Sequence, residues 1–223
     1  MRLAAEDARG KLRALAAEAG LPEGTNYPPA EIFKKRYGMQ AGNVIGTASF
    51  VPSYKPPDAQ TGQSDNVTPF WMVGGAAAEV EVDTETGHVR ILRLINAADC
   101  GKPVNPAVAR TQLSGAAIMQ LGFTLSEAMQ LDGGQVTNAS LADYKIPGIG
   151  DVPPMENELV AAEQHSGPFG AKGLGETGTF GVSPAIANAI HDAVGVRIME
   201  LPITAEAVLR ALRAKAGRPL EDE

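Results

Sequence analysis

The chain has a single cysteine, Cys100, among 223 residues. An internal disulfide is therefore excluded, and so is an iron–sulfur cluster or structural zinc site built on this chain's own thiolates. Long apolar runs are lacking as well. No stretch approaches the ~20 consecutive apolar residues of a membrane-spanning helix. The opening residues, Met1 to Asp7, carry acids where a secretory signal would carry its apolar segment, so the expected location is the cytoplasm. Positive charge is scarce too. Lys34-Lys35-Arg36 is the one basic block and the formal net charge is −7, which argues against nucleic acid or an anionic membrane as a partner. His88, His165 and His191 have no metal-ligand spacing, so no metal ligand is assigned.

What is present is a loop-rich globular composition, 44% hydrophobic, with 25 glycines and 16 prolines. A chain of this length buries roughly 70% of its unfolded surface and needs no staples. Ala8, Leu12, Leu15, Ala16 and Ala19 predict one face of a helix that stops at Gly20. Pro28-Pro29 opens a second short helix that ends near Gly38. Val44 to Phe50 has strand character, and Pro52 to Pro69 reads as an irregular loop. Ala76 to Val82 alternates, a turn follows, and Val89 to Ile95 returns, which predicts a hairpin.

Asn105-Pro106 is a cap followed by proline at the first helical position, so a helix runs from there to about Leu121. Asp132-Gly133-Gly134 marks a second hairpin turn. Ser183-Pro184 repeats the cap-and-proline signal ahead of the stripe Ile186, Ala189, Ile190 and Ala193, with Gly195 as the stop. Val196 to Leu201 reads as a strand. Thr204 starts a last helix, with Ile203 and Val208 placed as a hydrophobic staple. Strands and helices mix without a regular βαβ repeat, which gives the fold class α+β. The expected organisation is a single domain over 1–223, with a helical segment at 1–42 and an α+β body at 43–223.

The densest feature is Phe169 to Gly181, with five glycines in thirteen residues. Gly173, Gly175 and Gly178 satisfy G-x-G-x-x-G, yet that fingerprint needs a strand before it and a helix beginning within it. Here Ser166-Gly167-Pro168 is a poor strand, and the next helix signal waits until Pro184. A nucleotide-binding domain is thus the weakest reading. What remains is a backbone free to approach something closely, with one acid, Glu176, in its midst. Glu176 is either a solvated turn residue or a positioned general base. Lys172, four residues away, favours its carboxylate form if the two meet in space.

Several segments together resemble the molybdopterin-binding subunit of the molybdenum hydroxylases, the xanthine dehydrogenase and aldehyde oxidase family. They are Asp99 to Pro106, Gln112 to Ala116, Ala142 to Pro147, Pro168 to Glu176 and Ala185 to Ile190. Their order and spacing agree with the family over nearly the whole chain, and the wording is most similar to the carbon monoxide dehydrogenase-like branch. The resemblance implies that Glu176 is the catalytic base beside the molybdenum, in hydroxylation of an aldehyde or aromatic heterocycle with water as oxygen source. It implies that Lys172, Gly173, Leu174 and Gly175 form the loop that approaches the cofactor. Gln112 matches a glutamine that bonds the cofactor, molybdopterin in its plain or cytosine dinucleotide form, and an amide can both donate and accept there. Cys100 reads as a small buried residue rather than a redox group.

The family's molybdenum subunit is several times longer, so the chain is expected to share its cofactor with a remaining portion of that subunit. The resemblance leaves three expectations open: one piece of a split subunit, a truncated gene product or an excised domain. Iron–sulfur and FAD subunits are the further implied partners, since neither an iron–sulfur cluster nor a flavin is expected on this chain. Alone, the chain is expected to be inactive, with apolar surface left to meet a partner or a second copy. The alternative function is a non-catalytic assembly or interaction module of the same fold.

Overall fold

The structure is a computed structural model and describes residues 1–24, 26–38 and 42–218. The chain forms two compact units, Met1–Pro69 and Phe70–Glu223. The sequence reading divides a single domain into a helical segment at 1–42 and a body at 43–223, whereas the first compact unit extends to Pro69.

In the first unit, α1 (Arg2–Glu18) packs against α2 (Pro29–Tyr37). Each helix ends at a glycine with positive φ, Gly20 and Gly38, as their positions predict. Ile32 is the buried anchor of α2. Val44 to Phe50 is not a strand, contrary to its composition. Its backbone is held by helix side chains instead of a strand partner: Lys11 Nζ donates to the Ile45 carbonyl, and Thr47 N donates to Asp7 Oδ2. Pro52 to Pro69 is irregular as expected, folded on itself around Asp58, whose Oδ1 accepts from the amides of Gln60 and Thr61.

The second unit is built on a three-stranded sheet in the order β1-β2-β5, from β1 (Gly74–Val82), β2 (Val89–Asp99) and β5 (Met155–Val160). The β1–β2 hairpin is antiparallel and carries a bulge at Glu79/Val80, where the register passes from Arg93 to Ile91 and leaves Leu92 extra. The bulge reconciles the pattern: Val89 and Ile91 lie on the inward side before it and Leu94, Asn96 and Ala98 after it. Arg90 and Arg93 stay outside in exposed pairs with Glu81 and Glu156, each worth at most about 1 kcal/mol.

Between β2 and β5 runs α3 (Pro106–Leu125), so the parallel β2–β5 pair closes a βαβ unit. α3 starts where predicted, with Asn105 Oδ1 accepting from Val108 N at 3.2 Å, and continues one turn further than expected. β5 was not anticipated. A small hairpin, β3 (Leu131–Asp132) and β4 (Gln135–Val136), turns at Gly133-Gly134, and α4 (Leu141–Tyr144) follows.

α5 (Val182–Val194) covers β1, and α3 packs on β5, β2 and α5. The core joins Leu94, Ala117, Val182, Ile186, Ile190 and Val208. Ser183 is not the cap of α5. The helix begins at Val182, two residues before the predicted start at Pro184, and the Ser183 hydroxyl instead meets Gln120 Nε2 at 2.6 Å and the buried Thr124 hydroxyl. Ala193 also leaves the predicted stripe and is exposed, with Val194 turned inward in its place. Val196 to Leu201 is not a strand either; Val196 and Ile198 pack on the core and the segment pairs with no strand among the described residues. α6 (Ala205–Lys215) starts at Thr204 as predicted, with the staple residues Ile203 and Val208 both buried. No helix among the described residues is long and apolar enough to cross a membrane.

Candidate functional site

Two pieces of chain meet beside the C-terminal end of β2. One is the first two turns of α3. The other is the glycine-rich run, which opens on a single 3-10 turn at Pro168–Gly170, is irregular from Lys172 and leads into α5 only at Val182. The context of a dinucleotide fingerprint is therefore absent. Between them lies an open depression of 430 Å³ lined by Gln112, Val104, Val108, Lys172, Leu174 and Gly175, among others. The structure thus brings together four of the predicted cofactor residues from positions far apart in sequence. Gly173 and Glu176 sit on the same loop but outside that lining.

The apolar wall of the depression is unusually open, with Val104 81% exposed. Gln112 is exposed, which leaves its amide free to donate and accept. Among the described residues, the backbone amides of Gly173, Leu174, Gly175 and Glu176 donate to no acceptor of the chain. A Cβ built on Gly175 would meet nothing within 4 Å. Packing within the chain therefore does not require glycine at 175. Gly178 differs: a Cβ there would press on Asn96, Ala116 and the Leu113 carbonyl. A set of free N–H groups, an open glycine and an amide side chain around one depression fits a flat polar group such as a pterin. Lys102 lines the depression too, is exposed and makes no ion pair among the described residues.

The loop's position is fixed from outside itself. Lys172 N donates to the Cys100 carbonyl at 2.9 Å, and Lys102 N donates to the Gly170 carbonyl at 2.7 Å. Gly101, at φ 58, allows this approach, because a Cβ there would collide with the Gly170 carbonyl. Lys172 Nζ reaches Asp99 Oδ2 at 2.6 Å, with the two side chains 10% and 9% exposed, and also donates to the Trp71 carbonyl. The conditional pairing of Lys172 with Glu176 is thus not formed. Desolvation pushes the Asp99 carboxyl up, but the Lys172 hydrogen bond, the Gly101 amide, the lysine charge and the Ala162 amide outweigh it and hold it below the ordinary range. At the other end of the loop, Asn96 Nδ2 donates to the Gly178 carbonyl at 2.9 Å. Thr177 is buried, with its hydroxyl near Met72 Sδ.

Glu176 itself is exposed, and its carboxylate has no hydrogen-bond or ion-pair partner among the described residues. Cys100 is 2% exposed and burial pushes its thiol up, so it packs as a small neutral residue. Among the described residues no group of three His, Cys, Asp or Glu could hold a metal ion. Asp99 and Asn96 carried no assigned role in the sequence. Asp99 stood inside the quoted Asp-Cys-Gly run, but nothing local ties it to residue 172.

Residues 1–153 match the family model for the molybdopterin cofactor-binding domain. The chain belongs to that family. Its kin are the molybdenum-binding subunits of xanthine dehydrogenases and aldehyde oxidoreductases. The chain is 37% identical over 181 residues to the probable hypoxanthine oxidase XdhD of Escherichia coli K12, a match to 80% of this chain and 18% of that protein. The aldehyde oxidoreductase of Desulfovibrio desulfuricans superposes with a TM-score of 0.72 at 29% identity, over 89% of this chain and 21% of its own. The carbon monoxide dehydrogenase of Oligotropha carboxidovorans, at 19% identity, shares the fold with a TM-score of 0.69 over 96% of this chain and 28% of its own. The chain spans about a fifth of the length of the curated relatives it matches. The matched family model covers Gln112 and ends before the glycine-rich loop.

Proposed function

We propose that the chain supplies one wall of the molybdopterin site of a molybdenum hydroxylase, with Glu176 as the general base. The carrying observation is the depression in which Gln112 and the 172–175 loop converge, although sixty residues separate them. Gln112 would bond the polar edge of the cofactor, and the free amides of Gly173 to Gly175 would approach it from the loop. Val104, Val108 and Leu174 would cover its apolar surface and exclude water there. Lys102 is the cation in position for a phosphate of the cofactor, because the Lys172 charge is engaged by Asp99. When bound, the molybdenum cofactor supplies the two-electron oxidation of an aldehyde or aromatic heterocycle carbon. Glu176 takes up, on a carboxylate oxygen, the proton of the water that provides the new oxygen atom. Its unpartnered carboxylate leaves both oxygens available for that transfer.

The remaining portion of the molybdenum subunit closes the site, and iron–sulfur and FAD subunits carry the electrons away. The lone chain is then inactive. The test is Glu176→Gln in the assembled enzyme. Molybdenum content should stay at the wild-type level while turnover falls ~10²–10⁴-fold, the usual worth of a general base. Near-normal turnover would remove Glu176 from the mechanism.

A further inference from the structure

We infer that Asn96 and Asp99, both on β2, are positioning residues that suspend the loop Gly173–Thr177 between two fixed points. The inference rests on the proposed role of that loop, but its test does not. Asp99 is 7% exposed and Asn96 3% exposed, and each commits its side chain to one end of the loop. Asp99 holds the upstream end through Lys172 Nζ, and its other oxygen accepts from Gly101 N at 2.9 Å. That single carboxylate joins three segments, because Lys172 also reaches the Trp71 carbonyl. Asn96 holds the downstream end through the Gly178 carbonyl. Gly178 admits no side chain at that point, so the carbonyl and the amide stay in register.

Between the anchors, no backbone amide from Gly173 to Glu176 donates to an acceptor among the described residues. A loop with four free donors has no internal ladder to order it. The downstream foot is also closed by a turn, in which the Glu176 carbonyl accepts from Thr179 N at 3.0 Å and Thr179 Oγ1 at 2.9 Å. The stretch Gly173 to Gly175 takes its order from the two ends, whose side-chain anchors both stand on β2. β2 is itself the central strand, paired on both edges, and so is among the most constrained parts of the unit. The arrangement presents Glu176 on a short bow whose feet are rigid. A bow fixed at one end alone would let the carboxylate sweep over the depression. Preorganisation of this kind is what a base needs when its partner atoms lie on another element.

The experiment uses the purified chain and backbone ¹⁵N relaxation, with amide hydrogen exchange alongside. Three variants are compared: Asp99→Asn/Lys172→Met, Asn96→Ala, and all three changes together. The double substitution removes both charges, so no unpaired ion is left buried to unfold the unit. In the wild type, order parameters of about 0.85 are expected across Gly173–Thr177. The double variant should drop toward ~0.6 or below at Gly173 and Leu174 first. Its Lys102 and Lys172 amides should exchange on the order of tenfold faster, while Leu94 and Ala98 keep their protection. Asn96→Ala should loosen Glu176 and Thr177 instead, and the triple variant should loosen the whole bow. This end-specific pattern is what a generally structural role would not produce. Wild-type order throughout the loop in both the double variant and Asn96→Ala would overturn the inference. So would loosening spread evenly over the unit, core strands included. Neither readout involves cofactor or turnover, so this inference and the assignment of Glu176 fail separately.

Discussion

Gln112 stands on a 20-residue helix whose start is set locally, whereas Glu176 hangs on a loop placed by residues 73 and 82 positions from their partners. The helix-borne half of the depression follows from a cap, a proline and a period of 3.6. The loop-borne half follows from a buried ion pair and one side-chain amide donated from the sheet to the loop. The first half is held by many weak local terms and degrades gradually. The second depends on a few polar contacts in a dry place, where losing one partner is costly. The proposed catalytic group thus sits on the half of the site with the fewest supports.

That contrast can be broken at its strongest point first. Lys172→Met leaves the Asp99 carboxylate buried without its counter-charge, and such a loss typically costs about 3–5 kcal/mol. Denaturant unfolding of the purified chain measures it, and a cost below about 1 kcal/mol would mean that solvent replaces the lysine.

Acid sharpens the same comparison. The Asp99 carboxyl is held below the ordinary aspartate value of 3.8 in the folded chain, so the stability it contributes is present above that value. It is lost as pH falls through 3.8 and on through the depressed folded value. Asp7, Asp58 and Asp83 are also held low, by hydrogen bonds at exposed sites, so the wild-type acid slope is shared among them. The stability gap between wild type and Asp99→Asn isolates the Asp99 part. It should be widest near neutrality and close on acidification, and a gap that is constant with pH would contradict the ion pair.

The helix half should respond less. Asn105→Ala removes the side-chain acceptor of the Val108 amide and should cost about 1 kcal/mol, within a range of ~0.5–2. Urea unfolding reads it. A loss as large as that of Lys172→Met would erase the difference between the two halves.

The same division explains what could be read from sequence. Signals that act within one or two turns came through: Gly20 and Gly38 as helix ends, the Asn105 cap, the Asp132-Gly133-Gly134 turn and the Ile203–Val208 staple. Signals that need a distant partner did not. Val44 to Phe50 and Val196 to Leu201 have strand-like side chains but pair with no strand among the described residues, and backbone pairing, not composition, makes a strand. β5 went unseen because its sequence, Met-Glu-Asn-Glu-Leu-Val, carries a polar Asn157 at an inward position, where it donates to Ser114 Oγ. Ser183 resembled a cap, yet its hydroxyl was claimed by Gln120 and Thr124 across the helix interface.

At the site, the loop was conspicuous by its glycines, and the family resemblance singled out Gln112 and Glu176. Lys172 was grouped with the cofactor contacts on the same grounds. It lines the depression, and its ammonium turns toward Asp99, a partner that no spacing in the sequence could announce.

The most direct measurement of where the cofactor lies uses two glycines at which an added Cβ would meet nothing within 4 Å, Gly175 in the depression and Gly150 away from it. Valine at either exposed position should alter stability by no more than about 0.5 kcal/mol. In the assembled enzyme, Gly175→Val should purify folded but with molybdenum content reduced on the order of tenfold, a loss of about 1.4 kcal/mol in affinity. Gly150→Val should retain the wild-type content. Full molybdenum loading and normal turnover in Gly175→Val would place the cofactor elsewhere and contradict the assignment.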